Sequence, residues 1–199
     1  ESSVAKFALS PLLSGSVSRW RSRRRRQLKR LSVQLVGNAG VLLSDGTTSL
    51  LVDLPYEPGA FGYQLYEPAA LRLPGAVVSV ITHHHKDHFD PSIFLPHGSW
   101  RLIGPPTVTA AIPEVRVLSG DSLTVGAFSV TVLPSPHTPD HRSYRIRWNG
   151  RMLHFAGDTE SAASVPLEPR IDVLFVTPWL QCALRRANRA TTWDRAVLY

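Results

Sequence analysis

The stretch Thr82-His83-His84-His85-Lys86-Asp87-His88 places four imidazoles and one carboxylate within seven consecutive residues. It directly follows residues 76–81, a short apolar run rich in β-branched side chains that is typical of a buried strand. Imidazole and carboxylate groups are ligands that Zn²⁺, Fe²⁺ and Mn²⁺ accept. Turns favour Gly, Asn, Asp and Ser for backbone reasons that histidine does not share. The stretch therefore predicts a metal site at the carboxyl end of a strand.

The spacing within this stretch predicts which side chains act together. Residues two apart on an extended backbone point the same way, so His83 and His85 can hold one ion. Asp87 and His88 follow where the chain bends away, and they face a second ion. We expect the side chain of His84 to point away from the metals.

Two later residues also come directly after well-patterned strands. Residues 128–133 lead into His137, and residues 151–155 lead into Asp158. Strand ends gathered at one edge of a sandwich can approach to the roughly 2 Å metal–ligand distances that zinc needs. A lone histidine or a Gly-Asp-Thr turn is more often structural, but in this order after the first cluster both residues are predicted ligands.

The residues from Leu31 onward predict two β-rich blocks with few helices. Three antiparallel strands open the first block, and the second contains a hairpin at Asn149-Gly150, the preferred type I′ dipeptide. Residues 54–75 are dense in proline and predict a long surface loop, a candidate substrate wall. Short helices are predicted near residues 90–95, 106–111 and 180–190. This pattern predicts stacked sheets covered on their outer faces.

The basic charge of the chain is concentrated near its start. The 199 residues suffice for one domain with a substantial core, and the net charge is +7. Residues 19–30 carry eight Lys and Arg and no acid; of the chain's 22 Lys and Arg, this leaves 14 against 15 Asp and Glu. We therefore divide the chain into a basic Ser/Arg-rich arm, residues 1–30, and a nearly neutral domain, residues 31–199.

Three interpretations of the arm stay open: an organelle transit peptide, an electrostatic contact with RNA or a membrane surface, and a solvated linker. A secretory signal is not expected, because its basic residues precede the apolar stretch, whereas here residues 7–17 come first. No run approaches the roughly 20 apolar residues that span a bilayer. The single cysteine, Cys182, allows no internal disulfide. We expect a cytoplasmic protein, with an organelle as the alternative.

The motifs resemble those of the metallo-β-lactamase superfamily. They are Thr82-His83-x-His85-x-Asp87-His88, His137 and Gly157-Asp158-Thr159, with Val36-Gly37-Asn38-Ala39-Gly40-Val41 and Val52-Asp53 before them. The chain is most similar to the hydrolase branch that includes ascorbate-lactonate lactonases and phospholipase-D-type phosphodiesterases. The resemblance covers about residues 31–199 and implies an α+β fold, the αββα four-layer sandwich, with a metal pair at one edge between the sheets.

The resemblance also implies a role for each candidate ligand. The first ion is bound by His83, His85 and His137. The second is bound by Asp87 and His88, and Asp158 bridges both, which makes Asp87 and Asp158 the catalytic carboxylates. Two zinc ions are expected, with Mn²⁺ or Fe²⁺ as alternatives.

Two departures from the family pattern are visible in the sequence. The family has a last histidine after a late strand, on the second metal, but here no histidine occurs after His154 and the chain stops at Tyr199. We therefore expect an incomplete C-terminal end. Asn38 stands where relatives often have histidine, which affects a contact around the ligands and leaves the ligands themselves intact.

The expected activity is metal-dependent hydrolysis of an ester, lactone or phosphodiester in a small-molecule substrate. Two cations that share a water lower its pKa from about 15.7 toward neutrality and so supply hydroxide. No Gly-x-Ser-x-Gly elbow or phosphate-binding Gly-rich loop competes with this interpretation. His141 could donate a proton to the leaving group or hold the substrate, and an exposed loop histidine is the alternative.

Two other functions are weighed against this one. A tRNA-processing-type metallo-endonuclease is favoured by the arginine arm and disfavoured by the nearly neutral domain, because affinity for RNA is largely phosphate electrostatics. A nucleic-acid partner is therefore not favoured. A non-catalytic binding module with a decayed metal site is the third option, and the complete six-ligand set argues against it. The sequence carries no signal for an oligomeric state.

Overall fold

The computed structural model describes residues 30–36, 39–54, 76–94, 101–113, 116–117, 120–189 and 193–198. Within these ranges the chain forms two six-stranded sheets. The expectations for the arm before Arg30, for most of the loop at 54–75 and for Asn38 lie outside the described residues.

The first sheet keeps its strands in chain order. It contains β1 (Ser32–Val36), β2 (Gly40–Ser44), β3 (Thr48–Val52), β4 (Ala76–Val80), β5 (Arg101–Ile103) and β6 (Arg116–Val117). The first three strands pair antiparallel, as the sequence predicts, and β3 to β6 pair in parallel. Parallel neighbours end at the same edge of a sheet. Asp53, after β3, and Thr82, after β4, therefore lie side by side.

The second sheet has the order β12-β11-β10-β9-β8-β7. Its strands are β7 (Ser122–Val125), β8 (Phe128–Pro134), β9 (Arg142–Trp148), β10 (Arg151–Phe155), β11 (Ile171–Val176) and β12 (Trp193–Leu198). Asn149 and Gly150 both have positive φ, 46° and 80°, as a type I′ hairpin requires. Both β8 and β10 run antiparallel to β9, so they end at one edge of the sheet. This places His137 and Asp158 together.

Apolar side chains fill the space between the two sheets and also cover their outer faces. In β2, Val41 and Leu43 belong to the core between the sheets, whereas Leu42 belongs to a separate apolar cluster on the other face. This alternation follows from the two-residue repeat of a strand. Phe155 and Phe175 stack within the central core with their ring centroids 4.0 Å apart. Strands β2, β3 and β10 are thus buried on both faces along most of their length, as inner strands of the middle layers in a four-layer fold must be.

Short helices form the outer layers. They are α1 (Pro91–Phe94), α2 (Pro106–Thr109) and α3 (Pro178–Arg186). Val108 of α2 packs on the first sheet, and Leu180 and Leu184 of α3 pack on the second. The architecture is the predicted αββα sandwich. Within the described ranges, none of the helices has the length and apolar character needed to cross a bilayer.

Helix α3 begins earlier than the sequence predicts. Thr177 caps it, since its Oγ1 accepts the backbone N–H of Leu180 at 3.4 Å, and Pro178 occupies the first turn. The helix ends at Arg186, and Asn188 then adopts a positive φ of 54°. The helical periodicity alone does not reveal this left-handed residue, which ends the helix before residue 190.

Two hydrogen bonds join the second sheet to the loop that carries the histidine motif. The Tyr144 hydroxyl donates to the carbonyl of Ile81 at 2.6 Å, and the backbone N–H of Arg142 donates to the carbonyl of Thr82 at 2.9 Å. Tyr144 is fully buried, so its bond is shielded from water. The two sheets are therefore held in a defined relative position right beside the motif.

Candidate metal centre

The histidine motif folds back on itself immediately after β4. The backbone N–H groups of His88 and Phe89 both donate to the carbonyl of His85 at 2.9 Å, which closes a tight turn. The turn brings the rings of His83 and His88 to a centroid distance of 4.3 Å. Both rings are buried, whereas His84 is exposed as expected.

Two groups of ligand-type atoms share one residue. The three-histidine cluster consists of His83, His85 and His137, each of which offers one ring nitrogen within 4.8 Å of the others. The carboxylate cluster consists of His83, His88 and Asp158, whose ligand atoms also lie within 4.8 Å of one another. The fold therefore gathers five of the six residues that the sequence nominates. His83 is the member common to both clusters.

Asp87, the sixth nominated residue, lies just outside both clusters. Its Oδ2 is 3.8 Å from Nε2 of His88, and its side chain is 20% exposed. Its predicted roles as a ligand and as a catalytic carboxylate stay predictions.

The environment of His83 fits a metal ion. Its Nε2 is buried and has no hydrogen-bond partner within the described residues, whereas its Nδ1 lies 3.0 Å from the Thr82 hydroxyl. A buried polar nitrogen left without a partner costs free energy. A cation coordinated by Nε2 would remove that cost, and a set of imidazoles with a carboxylate is the donor set that zinc accepts.

Sequence reasoning missed the roles of Asp53 and Thr82. Oδ2 of Asp53 lies 2.8 Å from Nδ1 of His88, and the same carboxylate accepts the Thr82 backbone N–H at 2.7 Å and the Thr82 hydroxyl at 2.9 Å. With Nδ1 held by a carboxylate, Nε2 of His88 is oriented toward Asp158 Oδ1, at 3.1 Å. A signal was present in the sequence, because Asp53 directly follows a buried strand just as the nominated ligands do.

The electrostatics of the site shift the pKa values of the buried histidines His83 and His88 in opposite directions. Burial and the neighbouring histidines, His88 above all, hold the pKa of His83 far below its usual range, so its imidazole is neutral. Burial would also lower the pKa of His88, but the carboxylates of Asp53 and Asp158 raise it to about 10. Burial alone would raise the pKa of Asp158, yet the hydrogen bond and charge of His88 lower it. His83 is thus held in the form that binds metals.

His141 does not occupy either position expected for it. It is only 1% exposed, with Nδ1 lying 2.6 Å from the Ser135 hydroxyl and Nε2 accepting the backbone N–H of Asp158 at 3.2 Å. Burial, and next the charge of His137, lower its pKa to about 4. It is not an exposed loop histidine, and it is not placed to donate a proton to a leaving group or to hold the substrate, because both ring nitrogens are already engaged.

A cavity of about 520 Å³ adjoins the three-histidine cluster. It is lined by Pro136, His137, Glu160 and Ser161. Its volume suits a small-molecule ligand. His137 thus lines the space that such a molecule would enter.

Known proteins resemble this chain in sequence and in fold. No protein-family model matches it. A metal-dependent hydrolase from Ruegeria sp. (strain TM1040) is 26% identical over 151 residues, which cover 65% of this chain and 64% of the relative. The hydroxyacylglutathione hydrolase of Brucella ovis is 34% identical over 128 residues, 61% of this chain and 47% of the relative.

The metallo-β-lactamase fold protein YhfI from Bacillus subtilis is a similar solved structure. Its TM-score is 0.58 at 19% identity, over 81% of this chain and 77% of that one. The chain therefore has the metallo-β-lactamase fold. In this metallo-β-lactamase fold the two clusters lie where the strand ends of both sheets meet. The chain spans about half to two thirds of the length of the two curated relatives.

Proposed function

We propose that the protein is a metal-dependent hydrolase that cleaves an ester, thioester, lactone or phosphodiester bond in a small molecule. The observation that carries the proposal is the overlap of the two clusters at His83, whose buried Nε2 lacks a partner within the described residues. The names of the relatives from Ruegeria and Brucella point to the same reaction class.

Six residues would hold the metal in this proposal. His83, His85 and His137 would bind one ion; His88 and Asp87 would bind a second, which His83 also adjoins, with Asp158 between the two ions. We favour zinc, because neutral imidazole and carboxylate are its usual ligands in catalytic sites. When bound, such ions polarise the oxygen of the bond under attack and lower the pKa of a water molecule.

The residues around the clusters orient the ligands and admit the substrate. Asp53 holds Nδ1 of His88, so that Nε2 faces the carboxylate of Asp158. The cavity lined by Glu160 and Ser161 opens beside His137 and can admit a small substrate. Hydrogen-bonded support of a ligand beside an open cavity suits a hydrolytic site, because supporting contacts preorganise the ligands.

The type of bond that is cleaved is a second, more specific proposal. We infer an acyl substrate, such as a thioester or lactone, ahead of a phosphodiester, since the similarity to a hydroxyacylglutathione hydrolase favours carbonyl chemistry. The same ligand geometry can serve either bond, because bound cations polarise carbonyl and phosphoryl oxygens alike.

Metal content and hydrolysis, measured on the full-length protein purified without chelators, test the proposal. The substrates are an acyl-glutathione thioester, a lactone and bis(p-nitrophenyl) phosphate, each assayed with and without residues 1–30. His83→Ala removes the residue common to both clusters. His84→Ala is the matched control, because His84 is an exposed neighbour in neither cluster.

We expect the wild type and His84→Ala to contain metal and to hydrolyse at least one acyl substrate. His83→Ala should lose both properties. A metal-free wild type, or a His83→Ala variant with undiminished hydrolysis, would refute the proposal. Diesterase activity that depends on residues 1–30 would instead favour the endonuclease alternative.

A further inference from the structure

We propose that His141 is a positioning residue that holds Asp158 in the metal centre through the backbone. In this assignment the ring is the neutral Nδ1–H tautomer, which donates to Ser135 and accepts from the Asp158 amide. The expected effect on metal binding rests on the proposed function, whereas the tautomer can be tested independently of that function.

The first support is the pair of contacts that the ring makes. The Ser135 hydroxyl lies 2.6 Å from Nδ1, and the Asp158 amide lies 3.2 Å from Nε2. An amide N–H can only donate, so Nε2 must be the acceptor and the proton of the neutral ring must lie on Nδ1. The hydroxyl of Ser135 then serves as the acceptor for that proton. The contact with the Asp158 amide thus determines that Nδ1 donates the hydrogen bond to Ser135.

The second support is the absence of a side chain at Gly157. A Cβ there would lie 2.5 Å from His141 Nε2, 2.8 Å from its Cε1 and 3.2 Å from Thr82 Cβ. Gly157 also has a φ of +61°, a conformation that disfavours side chains. The backbone before Asp158 therefore touches the imidazole directly, and the ring sets where this backbone can pass.

The third support is the anchoring of the ring. The backbone N–H of Ser135 donates to the His141 carbonyl at 3.3 Å, and the backbone N–H of His141 donates to the Thr138 carbonyl at 3.1 Å. The loop from Ser135 to His141, which also carries His137, is thereby closed. One imidazole thus joins the loop of one predicted ligand to the amide of another, Asp158.

The position of Asp158 matters because its carboxylate completes the carboxylate cluster. Its Oδ1 lies 3.1 Å from Nε2 of His88. A shift of the backbone at residue 158 would move this oxygen relative to His83 and His88. Groups that orient metal ligands in this way typically change metal affinity by about 10- to 100-fold when removed.

The test combines ring ¹⁵N NMR with zinc affinity on the full-length protein. Long-range ¹H–¹⁵N correlation of the metal-free protein should show a protonated Nδ1 and an unprotonated Nε2 for His141, identified by the signals missing from His141→Phe. Chelator competition should show zinc affinity about 10- to 100-fold weaker in His141→Phe than in the wild type. His141→Gln keeps an acceptor for the Asp158 amide and should recover part of that loss.

Two further variants separate positioning from general destabilisation. Gly157→Ala removes no hydrogen-bonding group but displaces the ring, so it should weaken zinc binding as His141→Phe does. Leu184→Ala, buried on α3, should lower stability and leave zinc affinity unchanged. An Nε2–H tautomer, or zinc affinity unchanged in both His141→Phe and Gly157→Ala, would overturn the assignment. If the wild type itself binds no zinc, the proposed function fails. The ¹⁵N NMR result then decides by itself whether His141 accepts the hydrogen bond from the Asp158 amide.

Discussion

Oδ2 of Asp53 lies 2.8 Å from Nδ1 of His88, a residue 35 positions further along the chain. Both side chains are buried, and Asp53 adopts a positive φ of 51°, which is uncommon outside glycine. A strained backbone that places a carboxylate against a predicted metal ligand indicates a functional constraint.

We predict that Asp53→Ala weakens zinc binding by about 10- to 100-fold, because Nδ1 of His88 loses the carboxylate that orients its ring. Asp53→Asn tolerates the left-handed backbone and should retain more affinity than the alanine variant. Chelator competition on the purified variants measures both values. Equal zinc affinity in the wild type and Asp53→Ala would contradict an orienting role.

Because His83 belongs to both clusters, we predict that His83→Ala loses more metal than His137→Ala. The wild type should bind about two ions, as expected for a two-metal site. His137→Ala disrupts only the three-histidine cluster and should leave about one ion, whereas His83→Ala disrupts both clusters and should leave close to none. Elemental analysis after dialysis measures the content, with His84→Ala as the control. Identical metal content in His83→Ala and His137→Ala would argue against two overlapping sites.

Two turn glycines predict a difference in stability. Gly126 and Gly150 both have positive φ, 57° and 80°, so alanine costs roughly 1 kcal/mol at either position. A Cβ at Gly126 would also lie 2.2 Å from Thr48 Oγ1 and 2.9 Å from its Cβ, whereas a Cβ at Gly150 meets nothing within 4 Å.

We therefore expect Gly126→Ala to be more destabilising than Gly150→Ala by about 1–3 kcal/mol, the usual cost of overpacking. Denaturant unfolding of the two variants gives the comparison. Coincident midpoints would mean that the Gly126 turn does not pack on Thr48 as described.

His154 predicts a pH dependence of stability. It is fully buried on β10, and neither ring nitrogen has a hydrogen-bond partner within the described residues. Burial, and next the charge of Arg145, lower its pKa from 6.5 to about 3. Below pH 6.5 the unfolded chain therefore binds a proton that the folded chain does not, so the fold loses stability progressively as the pH falls from 6.5 toward about 3.

His154→Leu removes this group and should flatten the dependence of the unfolding free energy between pH 6.5 and about 4 relative to the wild type. It should also be neutral or stabilising at pH 7, because it removes two unpaired buried nitrogens. Urea unfolding across this pH range measures the difference in unfolding free energy between the wild type and His154→Leu. The contributions of the other titrating groups are the same in both proteins and cancel in this difference. Parallel pH profiles would show that His154 is not buried in its neutral form.

Much of this protein follows from local sequence patterns. The hairpin at Asn149-Gly150 and the three opening strands depend on neighbouring residues, whose alternation and turn preferences can be read directly. The same holds for the candidate ligands, because each directly follows a strand and carries a metal-binding side chain. These features need only the chemistry of a few consecutive positions.

The arrangement inside the site was decided by the tertiary structure alone. That His83 belongs to both clusters, that Asp53 supports His88, and that His141 is buried against Asp158 all depend on which strands are neighbours and in what register. Sheet order and register are set by packing between residues far apart in the chain, and no local pattern encodes these distances. Residue chemistry thus shows which side chains could bind a metal, whereas the contacts between distant strands decide which of them meet.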